Sequence, residues 1–304
     1  MRYIVFFLSL LFTVQISAQK KGKTTPKPKE PLSPIVMKKD TLFNGNIQIT
    51  FTDRKTGFKI SEEQLKDTIR DGMCSNYFTN GKIKVVTYYK LGKKDGIYKS
   101  FFENGQIFTS GYYKEDKEDG LFQYYFENGK KQAAKGYKNG IDDGGLEMYD
   151  SAGIKLVEGF YKNGKRHGAW SDFYNNGNPR LSTYFKNGEY EGPYTDFYEN
   201  GKVHVKTYFL NGKQEGQRLE YDSTGTPILR ITFRYGKEAG TFENYYPNGK
   251  VKENGYYING ILSGKYKKFF DDGKVMEEGE YKEGKKIGKW FTYDREGNKT
   301  KIKY

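Results

Sequence analysis

Side chains able to do chemistry are scarce in this chain. Its only histidines are His167 and His204, and its only cysteine is Cys74. A zinc site needs three or four such ligands brought together, and a Cys/His pair needs its members within hydrogen-bond reach. These three stand far apart in sequence, and nothing in the spacing gathers them. Acidic residues are plentiful. Asp142-Asp143-Gly144 and Asp271-Asp272-Gly273 look like fragments of a calcium loop, without its spaced ligands or distal glutamate. A carboxylate pair acting as general acid and base needs a pocket that drives the two pKa values apart, and no segment marks one. "GKKIGKW", Gly284 to Trp290, is one residue short of a phosphate loop and lacks its Ser or Thr. No catalytic residue, metal ligand or cofactor is expected.

The stretch around His167 shows why. "FYKNGKRHGAWSDFYNNGN", Phe160 to Asn178, returns 24 residues later as "YFKNGEYEGPYTDFYENGK", Tyr184 to Lys202, and again as "YYINGILSGKYKKFFDDGK", Tyr256 to Lys274. One column is glycine in all ten copies: Gly72, Gly96, Gly120, Gly144, Gly168, Gly192, Gly216, Gly240, Gly264 and Gly288. A second, from Gly81 to Gly297, is as strict, and a third runs from Gly92 to Gly284 broken only by Asp116. The His167 column otherwise reads Asp71, Asp95, Asp119, Asp143, Glu191, Glu215, Ala239, Ser263 and Ile287. His167 is thus one variant of a mostly acidic position, expected on a solvated rim. His204 shares a column with Phe108, Leu156, Ile228 and Met276, which suits a half-exposed strand position.

Asn-Gly is the strongest short hairpin signal, because a type I′ turn needs positive φ at both central residues. It occurs in the second glycine column, as at Asn80-Gly81 and Asn104-Gly105, and in the third, as at Asn139-Gly140 and Asn163-Gly164. Turn glycines alternate at 11 and 13 residues, leaving strands of ordinary length. Each unit then reads as one β-hairpin. The whole is an all-β, elongated, single-layer antiparallel meander of about ten repeats, roughly twenty strands and about 95 Å long.

With Asn104-Gly105 as a two-residue loop, Tyr113 lies opposite Gly96. The aromatic column from Tyr89 to Tyr281 is therefore expected to fold rings over the bare glycines. Another aromatic column, Tyr77, Phe101, Tyr125, Tyr149, Phe173, Phe197, Tyr221, Tyr245, Phe269 and Tyr293, falls on the opposite face by period-2 alternation. Rings on both faces are expected to form stacked ladders that hold the sheet without a second layer. Lys82, Lys130, Lys202, Lys250 and Lys274 follow turn glycines and place charge on the rim.

Composition agrees with this architecture. Aromatic residues make up 17% of the chain against 35% for all hydrophobic ones, and 37 glycines accompany them. Residues 1–18 read as a signal peptide, with basic Arg2, an apolar run from Tyr3 to Val14 and a small Ala18 before the cut. An uncleaved anchor would need about 20 apolar residues. Residues 19–40, rich in Lys and Pro, read as a disordered linker. Residues 41–71 keep the spacing but lose the aromatic pairs, as a degenerate N-terminal capping repeat would, and the array proper spans 72–304. Ser61 and Gln64 could instead cap a short helix up to Arg70; the strand reading is preferred. Of the formal charge of +14, +6 sits in residues 1–40, leaving +8 for the rest, too little for a nucleic-acid footprint. One cysteine excludes an internal disulfide framework.

The unit G-x-aromatic-x-x-aromatic-aromatic-x-N-G-K, followed by aromatic-x-N-G-K-x-x-G, resembles the MORN repeat (membrane occupation and recognition nexus). It is more closely similar to the bacterial variant of that repeat found in exported arrays. "NGKRHGAW", Asn163 to Trp170, is nearest the family's core, whereas most copies carry Asp or Glu where the family has His. The resemblance covers about residues 72–304. It implies an elongated β-sheet used for protein contacts, sometimes lipid contacts, without catalysis of its own. The array is also similar to the antitoxin component of certain bacterial toxin–antitoxin modules. The expectation is a non-enzymatic, exported protein-binding scaffold, periplasmic, secreted or envelope-associated, with an antitoxin or immunity-type role as its sharpest form. The alternative is a module that binds envelope glycan or an anionic membrane surface. No nucleic-acid partner is expected.

Overall fold

The computed structural model describes residues 35–302. It holds 27 β-strands and, among the described residues, no helix. Strands pair antiparallel with their neighbours in sequence: Gly72–Tyr77 with Ile83–Lys90, and that strand in turn with Lys93–Phe101. The result is one open sheet, the elongated meander that the repeat spacing implies. The signal-peptide segment and most of the linker lie outside the described residues. The end of the linker does not: Ile35–Thr41 is a strand paired with Ile47–Asp53. Ile35, Val36 and Met37 give this segment a continuous run of large apolar side chains, of which the Pro-rich stretch before it has only Leu32. Lys59–Lys66 and Ile69–Arg70 are strands too, so no helix forms over 61–70.

Two kinds of turn line the two edges. At Leu91-Gly92 and Asn139-Gly140 both residues have positive φ, 50° and 83° and then 53° and 78°. Lys90 pairs directly with Lys93 around the first of them, as a type I′ hairpin requires. At the other edge only the glycine is left-handed, with φ 93° at Gly105. There Gly105 N–H donates to the Phe102 carbonyl, and Phe102 N–H to that of Gln106. These are three-residue loops ending in a glycine bulge, not the expected type I′ turns. Asparagine is selected there for another reason. Asn104 Oδ1 accepts Gln106 N–H at 2.9 Å, while its Nδ2 donates to the Glu127 carbonyl of the next repeat at 3.0 Å. Asn128, Asn176, Asn200 and Asn248 repeat the second bond.

The glycine column from Gly72 to Gly288 has a physical cause other than the one inferred from sequence. Gly96 does pair with Tyr113. On its other side, however, the register slips: Tyr89 faces Lys94 while Thr87 faces Tyr98, so Asp95, Gly96 and Ile97 bulge against Tyr88. All ten glycines have φ between 68° and 140°, where a Cβ is strained. At Gly120, Gly168, Gly216 and Gly264 an added Cβ would touch nothing, so backbone conformation and not an overlying ring demands glycine.

Rings do cover glycines, one column away. An added Cβ at Gly111, Gly159, Gly255 or Gly279 would run into Phe122, Trp170, Phe242 or Trp290. These rings belong to a spine on one face of the sheet. Tyr98, Tyr113, Phe122 and Tyr137 meet edge to face at 5.4 Å, and Tyr161, Trp170 and Phe185 continue at 5.6 and 5.9 Å. Phe122, Trp170, Phe185, Phe242 and Trp290 are buried.

The expected second ladder is absent. Phe101, Tyr125, Tyr149, Phe173, Phe197, Tyr245 and Phe269 are half-buried, and no ring contact joins one to another among the described residues. Across each strand pair they face Ile107, Lys131, Lys155, Pro179, Val203, Val251 and Val275. No ring bridges the ~9.6 Å between copies two strands apart. Replacing Gly159 by Ala is expected to lower the urea midpoint, at a cost of about 1–3 kcal/mol, because buried Trp170 cannot yield. Gly145→Ala, with ordinary φ and open space around its Cβ, should leave the midpoint within about 0.5 kcal/mol of wild type.

Candidate functional site

The two faces of the sheet use their rings differently. On the spine face, cations close over the aromatics. The Lys94 ammonium lies 4.8 Å from the Tyr113 ring, Lys135 lies 5.1 Å from Tyr137, Arg166 lies 4.3 Å from Trp170 and Lys286 lies 4.1 Å from Trp290. Burial, and secondarily neighbouring carboxylates, push the Tyr113 and Tyr194 phenols up to about 12. Burial and the Glu253 carboxylate push Tyr266 higher still. Such phenols are stabilised as neutral packing groups, away from the range that suits a general base. Burial likewise raises the Cys74 thiol, opposite to what a nucleophile requires.

On the opposite, open face, rings stand bare. Tyr88, Tyr112, Phe160, Tyr184, Tyr208 and Tyr256 are each 41–49% exposed. All occupy one position, two residues before a type I′ turn, and their cross-strand partners include Met73, Ile97, Ala169 and Pro193. Met73 and Ile97 are themselves exposed, and widen the apolar strip. The strip breaks at Thr232 and again at Gly136. An added Cβ there would sit 2.6 Å from the Asp143 carbonyl oxygen and 2.9 Å from Gly144 Cα, so the bulge backbone excludes any side chain. The gap forms a shallow trough of about 500 Å³ between Leu121 and Phe160, floored by Ala134, Gly145 and Ala169. Glu147 and Glu158 lie at its polar side, joined to Lys131 and Lys155. The sequence carried a signal for this strip. Where two adjacent residues are both aromatic, as at Tyr88-Tyr89 and Tyr112-Tyr113, alternation sends one to each face.

The residues singled out for chemistry have structural duties. In the His167 column, Asp119, Asp143, Glu191 and Glu215 accept the N–H of Asn139, Asn163, Asn211 and Tyr235 in the following type I′ turn, at 3.4, 3.0, 2.7 and 2.8 Å. The column is therefore a turn-anchoring position on the exposed rim. His167 donates its backbone N–H to Phe160, and its Nδ1 is buried with no hydrogen-bond partner among the described residues. His204 Nδ1 lies 2.8 Å from Asp196, with its ring against Tyr198. His167, His204 and Cys74 sit in separate hairpins, and no group of acidic, His or Cys side chains fit to hold a metal occurs among the described residues. The ammonium groups of Lys130, Lys202, Lys250 and Lys274 donate to turn carbonyls of the next repeat, so these rim lysines staple the array. "GKKIGKW" is the close of a type I′ turn running into strand Lys285–Tyr293.

A family model described as the MORN repeat variant matches residues 70–91, 94–115, 118–139, 166–187, 190–213, 239–259 and 262–283, about half of the chain. No curated protein matches. A similar solved structure is a mutant of the Photorhabdus luminescens Tc holotoxin pore, at 10% identity and a TM-score of 0.15, over 87% of this chain and 14% of that one. The chain thus spans a small part of that protein's length, and so low a likeness carries no argument.

The raised phenols set an alkaline limit on stability. A group whose pKa is higher folded than unfolded stabilises the fold below its unfolded value, and that contribution is lost as pH rises through the folded one. For Tyr113, Tyr194 and Tyr245, the window runs from the ordinary 10 to about 12. From neutral pH, melting temperature should change little up to about pH 10 and fall steeply beyond it, in step with tyrosinate absorbance.

Proposed function

The chain belongs to the MORN repeat variant family, and we propose that it is a non-enzymatic scaffold whose open face takes up another protein. The exposed ring strip from Tyr88 to Tyr256 is the observation that carries this reading. An aromatic strip this long on one face marks an interaction surface, and Tyr combines a large apolar ring with a polar tip suited to protein contacts. The absence of catalysis is supported by the duties just described. Carboxylates that could serve as acids or bases hold turn N–H groups, the two histidines lie in different hairpins, and the tyrosines and cysteine with shifted pKa values move away from neutrality. Export to the periplasm or beyond, suggested by residues 1–18, is part of the proposal, and an antitoxin or immunity-type role is its sharpest form.

The alternative, stacking of envelope glycan on the rings, draws on the trough between Leu121 and Phe160, whose polar side offers carboxylates and lysines. One experiment separates the two readings. Wild-type chain and a Tyr112→Ser, Phe160→Ser, Tyr184→Ser, Tyr208→Ser variant are used to capture material from an envelope and exported fraction of the source cells. Because these rings are exposed, the variant should keep its fold by circular dichroism while losing the captured protein. Retention by the variant would refute the strip as the binding surface. Elution by free sugar would favour the glycan reading.

A further inference from the structure

The ring strip borders a row of cations on the same face. Two residues beyond each exposed ring the hairpin closes: Lys90, Lys114, Lys162 and Lys186 stand there after Tyr88, Tyr112, Phe160 and Tyr184, and Leu210 and Ile258 after Tyr208 and Tyr256. At five type I′ turns, three of them beside a ring, both flanking residues are cationic. Lys90 pairs directly with Lys93, Lys114 with Lys117 and Lys162 with Lys165, and the turns at 235–236 and 283–284 repeat the arrangement. Directly opposed like charges weaken a strand pair. Elsewhere the sheet neutralises its lysines: Lys135 meets Asp142 at 2.8 Å, Lys155 meets Glu158 at 2.7 Å and Lys286 meets Glu277 at 2.6 Å. Of the six lysines in those three direct pairs, only Lys93 has an acid within ion-pair distance, Glu115 at 3.9 Å with both groups exposed. Five turns of the series therefore keep an unfavourable arrangement, and for these six lysines the long, exposed Lys93–Glu115 contact is the one ion pair that offsets it among the described residues.

We propose that the partner of the open face is an acidic polypeptide, its carboxylates over this lysine row and its apolar side chains among the rings of Tyr88, Tyr112 and Phe160. The inference rests on the reading of that face as a protein-binding surface, and adds the chemistry of the partner. Charge complementarity supplies the sign. The geometry supplies the polymer: beside Tyr88, Tyr112 and Phe160 a cation stands two residues further along the same strand, ~6.8 Å away, a distance that an acidic and an apolar side chain of one polypeptide can span together. A phosphate polymer brings the charge without the apolar groups. Lysine rather than arginine dominates the row, so it acts as a line of point charges and not as a set of planar forks for bidentate recognition.

The test uses the full chain and a labelled peptide of five Glu-Ser-Leu-Ser units, which places an acid and an apolar side chain at that spacing. Binding is expected at low salt and should weaken as salt rises. It should fall about tenfold in a Lys90→Gln, Lys93→Gln, Lys114→Gln, Lys117→Gln variant. A charge-matched variant of the opposite edge, Lys82→Gln, Lys202→Gln, Lys250→Gln, Lys274→Gln, should stay within about twofold. The row variant should melt no lower than wild type, because its substitutions remove like-charge pairs. No binding of the peptide, or equal losses in both variants, overturns the proposal. So does tighter binding, through the same lysines, of polyphosphate or of vesicles rich in phosphatidylglycerol. If the peptide fails while ring-dependent protein capture persists, only the acidic-partner inference falls; if capture is independent of the rings, the underlying reading falls.

Discussion

Ten times along this sheet a strand bulges against its neighbour, and at each bulge one residue takes a φ that only glycine adopts without strain. Much of the molecule depends on that point. The bulge sets three residues of one strand against one of its neighbour, so that the ladder beyond it is displaced by two residues and Tyr98 stands opposite Thr87. It also positions the residue just before the glycine, whose carboxylate in several copies holds the next turn. The glycine of that turn is held as well: Gly140 N–H donates to the Glu118 carbonyl at 2.8 Å, and Gly164 N–H to that of Asp142 at 2.8 Å. Repeats are therefore joined at the edges by hydrogen bonds as well as along the strands.

A single-layer sheet has no second sheet to bury its rings, and this one solves the problem on one face only. Glycines beneath Phe122, Trp170 and Trp290 let the rings lie down on backbone, neighbouring rings meet their edges, and Lys or Arg groups cover them from outside. Each contact is small, and the array gains by repetition, as nearest-neighbour terms add along a repeat protein. The other face receives the surplus ring of each aromatic pair and leaves it exposed. The division between stability and interaction thus falls between the two sides of the same strands.

The edges also divide. One edge is closed by asparagine and lysine staples, its charges directed into turn carbonyls of the next repeat. The other is closed by backbone and carboxylate bonds, which leaves its flanking lysines free of structural work. Outside residues 1–40, the formal charge of +8 reads as a mild bias in the composition. In the folded sheet an unneutralised part of it stands in a row beside the exposed rings.

The sequence by itself determined the 24-residue period, the hairpin unit and the antiparallel order, because turn residues and alternation are local properties written into residue type. It also placed Gly96 opposite Tyr113, although through a two-residue loop that the structure replaces by a three-residue one; a register shift between Ser100 and Phe101 restores the pairing. It showed as well that His167 stands in a repeated, mostly acidic column. Only the tertiary structure decided why Gly96 is glycine, which glycines lie beneath rings, and that the Phe101 column is not a ladder. Those outcomes depend on register slips between strands, and a slip moves every later side chain relative to its partner without altering the period. The open ring strip was hidden for a related reason. Alternation says that Tyr112 and Tyr113 face opposite ways, but which face is covered depends on glycines and cations brought in from neighbouring hairpins.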